Sequence, residues 1–291
     1  MIIDTHLHVG YEKDYVGGSD ERRQWWKTMF CNFEKPYGYS TDEALEMTVD
    51  DHLRRMDDLG ISKAFLIGID ASAALGFRID MGDMAKMVRD HPSRFIGVPG
   101  IDPMKGVSEA VDDIQRAKDL GHSGVKFFPC FGWDPTDSKY DPLYQKLMDC
   151  SMFFVMHVGS QMMPRTRLKY CSPLMIDEVA YRFPDLRIIE THLGWPWIGD
   201  ALIVARKNKN VYCDFSGLVP KIHIGDVDHT ANVGSYRLAE IQLPDKLLFG
   251  SDAPHGSQKD IIDMVRALPV AEGVKQKWLY DNAVRFLELG Y

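Results

Sequence analysis

Ile2-Ile3-Asp4-Thr5-His6-Leu7-His8-Val9 is the stretch that decides the fold. It is an apolar, β-branched run of strand length that carries polar residues toward its end. Seven runs of the same kind follow, at 64–69, 95–101, 124–128, 152–157, 186–193, 211–215 and 247–252. Near-continuous hydrophobicity of this sort marks parallel strands buried on both faces. Amphipathic stretches of helical period lie between them. In 41–59 the apolar residues Leu45, Val49, Leu53 and Met56 recur at steps of three or four, with Thr41 expected as N-cap and Gly60 as C-cap. The stretch 107–120, closed by Gly121, repeats the pattern, and 274–289 is expected to be a closing helix. Alternation alone would also fit an open doubly wound sheet. Eight such units in one chain predict an α/β fold, a (β/α)8 TIM barrel.

The chain has 291 residues, which would allow two domains, but a barrel of this type runs to about 250 residues as one. No repeat, low-complexity tract or Ser/Gly linker divides it, so residues 1–291 are read as a single domain. Two segments break the rhythm. The stretch 10–40 is too long for a βα loop and holds Trp25, Trp26, Phe30, Phe33, Tyr37 and Tyr39. An insertion after the first strand would stand above the C-terminal mouth of the barrel. It is expected to be a lid or apolar pocket wall, against the plainer readings of an extra packed helix or a contact in a homo-oligomer. The second segment, 216–232, carries His223 and His229.

Composition excludes several function classes. A formal net charge of −8 argues against a nucleic-acid partner, which needs clustered Lys and Arg. No apolar run approaches the roughly 20 residues that span a bilayer, and the first residues lack the layout of a signal peptide. The cysteines are five, Cys31, Cys130, Cys150, Cys171 and Cys213, with no CxxC pair. Reduced thiols in a cytoplasmic enzyme acting on a small molecule are the expectation.

With a side-chain period of two, Asp4, His6 and His8 share one strand face, which would bring two imidazoles to the barrel mouth. His157 ends the fifth run, His192 the sixth and Asp252 the eighth. Barrel enzymes keep their chemistry at these C-terminal strand ends. Each residue alone could be a hydrogen-bonded core residue. A convergent set of buried imidazoles and carboxylates is costly unless its members bind a cation or one another.

Four segments, 4–8 (DTHLH), 155–159 (VMHVG), 190–197 (ETHLGWPW) and 247–255 (LLFGSDAPH), together resemble the amidohydrolase superfamily. Within it they are similar to the amidohydrolase-related branch, which includes aminocarboxymuconate-semialdehyde decarboxylases, resorcylate-type decarboxylases and dicarboxylate lactonases. The resemblance spans the chain. It implies that His6, His8, His157 and Asp252 are metal ligands and that His192 is a further ligand or the histidine that polarises substrate. It implies a divalent ion, with Zn2+ favoured and Mn2+ the alternative. One ion is expected, or two if Lys126 is carbamylated as in binuclear members.

Hydrolysis through an activated water is the favoured chemistry, with Asp252 moving the proton and His192 polarising the carbonyl. The alternative is non-oxidative decarboxylation of a small aromatic or unsaturated acid by the same residues. Lys126, near the end of the fourth strand, tilts the choice toward hydrolysis, because lactonase-type members tend to carry a basic residue there. Lys126, Arg165 and Arg167 are candidate carboxylate clamps. Trp195, with Trp197, is a candidate pocket wall, and His255 a neighbour of Asp252. His52, His91 and His122 are expected at the surface. Cys130 has no adjacent base that would make it a nucleophile.

Overall fold

The computed structural model describes residues 1–9, 46–161, 166–218 and 230–288. Eight parallel strands among them form the barrel: β1 (Ile2–His8), β2 (Ile61–Ile67), β3 (Phe95–Val98), β4 (Gly124–Phe127), β5 (Phe153–Met156), β6 (Ile188–Glu190), β7 (Val211–Asp214) and β8 (Leu247–Leu248). They pair as β1-β2-β3 and β4-β5-β6-β7-β8. Backbone bonds join the two groups at both seams. Lys126 N–H donates to Pro99 at 2.8 Å and Ile101 N–H to Lys126 at 3.0 Å. At the other seam Thr5 N–H donates to Phe249, Asp252 N–H to His6 and His8 N–H to Ala253, each at 2.8 Å. The strands thus form a ring, as the sequence predicts.

Side-chain alternation divides the core in two. Ile3, Phe65, Ile67, Val98, Phe153, Val155, Ile189, Tyr212 and Leu248 fill the barrel interior. Phe286, on the last helix (Asn282–Glu288), closes its N-terminal end edge-on against Phe153 and Tyr212, with ring centroids 5.0 Å away in each case. The opposite strand faces, among them Leu66, Val125, Phe154, Ile188 and Val211, pack under the helices. The C-terminal end of the barrel is left for polar residues.

Strand β1 departs from simple alternation. Its pairing with β2 steps from Asp4–Ala64 to Leu7–Leu66, so three residues of β1 advance against two of β2. This β-bulge reverses the facing of the chain. Ile3 points into the barrel before it, and Leu7 points out to the helices after it. Asp4 therefore does not share a face with His6 and His8. Its Oδ2 accepts from Gln258, on the helix Gln258–Ala267, at 3.0 Å.

Other expectations need revision. Within the described residues the helix ending at Gly60 is Val49–Leu59. Its N-cap is Thr48, because the Thr48 hydroxyl and the Asp51 carboxylate satisfy each other's backbone N–H groups. The strands expected at 186–193 and 247–252 are shorter, because His192, Leu193 and Asp252 adopt left-handed backbone, with φ of +61°, +45° and +63°. The closing helix is divided by a π-helical turn, Lys277–Asp281, where the Trp278 carbonyl turns away to accept from Phe249 N–H at 2.8 Å. His52 and His122 are buried, not at the surface, and His122 Nε2 lies 2.9 Å from the Met81 carbonyl. The described cysteines Cys130, Cys150, Cys171 and Cys213 are free thiols, as expected. No helix among the described residues is long and apolar enough to cross a membrane.

Candidate metal centre and active site

The bulge in β1 brings His6 and His8 into the barrel mouth, and each ring is held from behind by its Nδ1. His6 Nδ1–H donates to Asp214 Oδ2 at 2.9 Å. His8 Nδ1–H donates to the Ile67 carbonyl at 3.2 Å. Both Nε2 atoms then face Asp252 Oδ1, at 3.5 Å from His6 and 3.1 Å from His8. One ring nitrogen each from His6 and His8 and one carboxylate oxygen of Asp252 lie within 4.8 Å of one another and could hold a metal ion. Burial, reinforced by the charge of Lys126, lowers the His6 pKa to about 3, so its Nε2 carries a lone pair. That Nε2 is buried with no hydrogen-bond partner among the described residues. A lone pair facing a carboxylate oxygen fits a cation between them. An imidazole whose other nitrogen donates to a carboxylate is also the usual metal-ligand arrangement.

Asp214 organises the second half of the site. Besides His6, its Oδ1 accepts from the backbone N–H groups of His192 and Ser216, each at 2.9 Å, and from the Ser216 hydroxyl. Burial alone would raise its pKa. The His6 contact outweighs burial and brings the pKa down to about 2. The sequence reading did not single out Asp214. The signal was its place at the end of β7, two residues after the inward-facing Tyr212.

His192 Nδ1–H donates into Ser216, whose carbonyl and hydroxyl oxygens lie 2.9 and 2.8 Å away. Burial lowers its pKa, which keeps the ring neutral and leaves Nε2 as an acceptor. His157 Nδ1 lies 3.2 Å from that Nε2 and donates to it. His157, also held neutral by burial and by His192, then presents a buried Nε2 lone pair with no hydrogen-bond partner among the described residues. His157 stacks on Phe128, with ring centroids 5.7 Å apart and planes 23° apart. It stands outside the close trio of His6, His8 and Asp252.

Lys126 points inward from β4 and is fully buried. Its Nζ has no hydrogen-bond partner among the described residues and sits 5.0 Å from the centroid of the Phe128 ring. Burial lowers its pKa to about 8, while Asp214 and Asp252 work in the opposite direction. Burial would raise the pKa of Asp252, but the His8 hydrogen bond and the surrounding imidazoles hold it well below the usual range. The Asp252 side chain keeps 16% exposure, so the site opens to solvent there.

Asp4 ties the two ligand-bearing segments together from outside the barrel. Its Oδ1 accepts from His6 N–H at 3.1 Å and Ser251 N–H at 2.9 Å, and its Oδ2 from the Ser251 hydroxyl at 2.7 Å. His255 packs edge-on against His8, with ring centroids 5.2 Å apart. Trp195 is half-buried against the apolar layer, and its carbonyl accepts from Ser160 N–H at 2.6 Å. Arg167 is exposed, and its backbone N–H donates to Cys130. Arg165, His223, His229 and the stretch 10–40 lie outside the described residues.

The family model described as amidohydrolase matches residues 3–289. No curated protein matches the chain. Among solved structures, an uncharacterised TIM-barrel protein from Bordetella bronchiseptica superposes with a TM-score of 0.75 at 24% identity, covering 99% of both chains. A 5-carboxyvanillate decarboxylase from Sphingomonas paucimobilis gives 0.69 at 17% identity, again over 99% of both chains. A dihydroxybenzoic acid decarboxylase from Polaromonas, with bound manganese and the inhibitor 2-nitroresorcinol, gives 0.66 at 16% identity, over 100% of this chain and 97% of that one. These likenesses are to the fold.

Proposed function

The chain belongs to the amidohydrolase family, and from that premise we propose that it is a divalent-metal-dependent carboxy-lyase acting on a small hydroxylated aromatic acid. The observation that carries this reading is Lys126, a buried ammonium with no hydrogen-bond partner among the described residues, beside the His6–His8–Asp252 cluster. A cation held in an apolar wall suits a substrate carboxylate next to an aromatic ring. The solved structures of similar fold include aromatic-acid decarboxylases, one of them with manganese. They support the carboxy-lyase alternative above the hydrolysis favoured from sequence, and they make Mn2+ as suitable as Zn2+.

His6, His8 and Asp252 would hold the ion, with His157 as the fourth ligand through its free Nε2. The bound ion would supply positive charge to a substrate oxygen. Lys126 pairs with the substrate carboxylate and sets the ring against Phe128. Asp252, ionised in the resting site, takes the proton of the substrate hydroxyl and hands it to the ring carbon that bears the carboxylate. The bond from that carbon to the carboxylate then breaks, CO2 leaves, and the electron pair returns to the ring. His192, its own ring fixed by Ser216, accepts from His157 Nδ1–H and so aims the His157 Nε2 lone pair at the ion.

The test is a panel of hydroxylated benzoic acids offered to Mn2+-loaded protein, with CO2 and the decarboxylated arene measured together. Equal amounts of both are expected for at least one substrate. No CO2 from any member, with turnover of lactones, would overturn the proposal. Hydrolysis of a small carboxylated lactone is the second reading. It rests on the sequence resemblance, which associates a basic residue at this position with lactonases; the Phe128 ring 5.0 Å from the Lys126 Nζ sets an aromatic acid above it. Asp252 would then take the proton from the attacking water and return it to the leaving group.

A further inference from the structure

We propose that Cys130, His157 and Cys171 form a second, sulfur-bearing metal site that takes a thiophilic ion of the Zn2+ type. The two Sγ atoms and a ring nitrogen of His157 lie within 4.8 Å of one another, and all three side chains are buried. Two buried cysteines are ordinarily small apolar packing residues. Here they converge on an imidazole whose Nε2 lone pair is buried and has no hydrogen-bond partner among the described residues. Three separate segments are fixed to bring them together. His157 N–H donates to Phe127 at 2.9 Å, Gly159 N–H to the Cys171 carbonyl at 2.7 Å, and Arg167 N–H to the Cys130 carbonyl at 2.7 Å.

Ligand chemistry separates this site from the first one. Two thiolates and an imidazole select a soft or borderline ion, whereas two imidazoles and a carboxylate also suit Mn2+. The thiols are protonated before binding, so each Sγ–H bond breaks as an Sγ–metal bond forms, and two protons pass to solvent. Burial and the neighbouring Cys171 hold the Cys130 thiol well above its ordinary pKa, with the Lys126 ammonium working the other way, so its proton leaves only as the metal bond forms. A water would complete a tetrahedral shell. The inference touches the proposed function at one point, because both centres draw on His157. An ion bound to the sulfur pair withdraws that imidazole from the first centre.

The experiment is titration of the metal-depleted full-length protein with Co2+, followed by the sulfur-to-cobalt charge-transfer band in the near ultraviolet. Wild-type protein is expected to develop the band, and Cys130→Ser and Cys171→Ser each to lose it. Asp252→Asn and Cys213→Ser are expected to keep it. A wild-type protein without the band overturns the site, as does a band that survives both serine variants or vanishes in Asp252→Asn. X-ray absorption at the cobalt edge of the wild type needs no variant to fold. Sulfur scatterers are expected there, and a shell of nitrogen and oxygen alone overturns the proposal. Neither readout depends on CO2 release, so failure here and failure of the carboxy-lyase reading are told apart.

Discussion

Asp214 Oδ2 sits 2.9 Å from Nδ1 of His6, a contact between residues 208 positions apart that aims the other ring nitrogen at Asp252. A partner of this kind fixes the tautomer and raises the basicity of a ligand imidazole. Asp214→Asn is therefore expected to lower metal affinity by about 10–100-fold while the thermal melt shows a folded protein. Competition with a chromophoric chelator measures it. Undiminished affinity would mean that Asp214 serves packing alone.

Lys126 makes opposite contributions to stability and binding. Its folded-state pKa of about 8 lies below the ordinary value of 10.5, so the charged form is disfavoured by folding. The resulting cost is present in full below about pH 8 and fades as pH rises toward the unfolded value. Lys126→Met should raise stability at pH 7 by about 1–3 kcal/mol, seen in denaturant unfolding. It should also raise KM for carboxylated substrates. In the wild type KM should climb as pH passes about 8. A variant with unchanged KM would leave Lys126 outside the substrate site.

Asp4 titrates in the other direction. Burial raises its pKa from 3.8 to about 6, against the hydrogen bonds it accepts. The folded state thus holds the proton more tightly than the unfolded chain. Stability associated with Asp4 is complete below about pH 4 and declines by about 3 kcal/mol as pH rises to about 6. Asp4→Asn should remove that part of the slope when urea unfolding is compared at the two pH values. Identical slopes in variant and wild type would contradict the assignment.

His157→Ala should release metal from the first centre, read as metal per chain after gel filtration. Full occupancy would remove His157 from the ligand set and leave its Nε2 to the sulfur pair alone.

Much of this was legible in the sequence because buried parallel strands are apolar almost throughout, and polar residues at their ends stand out. His6, His8, His157, His192 and Asp252 are such residues, and the structure gathers them at one mouth. What escaped has physical reasons. The bulge in β1 inserts one residue into a period of two, so Asp4 could not be placed by alternation. Asp214 ends an ordinary apolar strand, and its meaning comes from a partner at the far end of the chain. Cys130 and Cys171 lie outside regular strands, and only the folding of two connecting segments against each other brings them to His157. Thr48 was readable in principle, since Asp51 three residues later completes a capping box.

The most direct measurement is carbon balance for a hydroxylated aromatic acid incubated with Mn2+-loaded wild type and with Asp252→Asn. The account predicts one CO2 for each arene released by the wild type, and none from a folded Asp252→Asn. A product that keeps its carboxylate and gains water, or undiminished CO2 release from the variant, would contradict it.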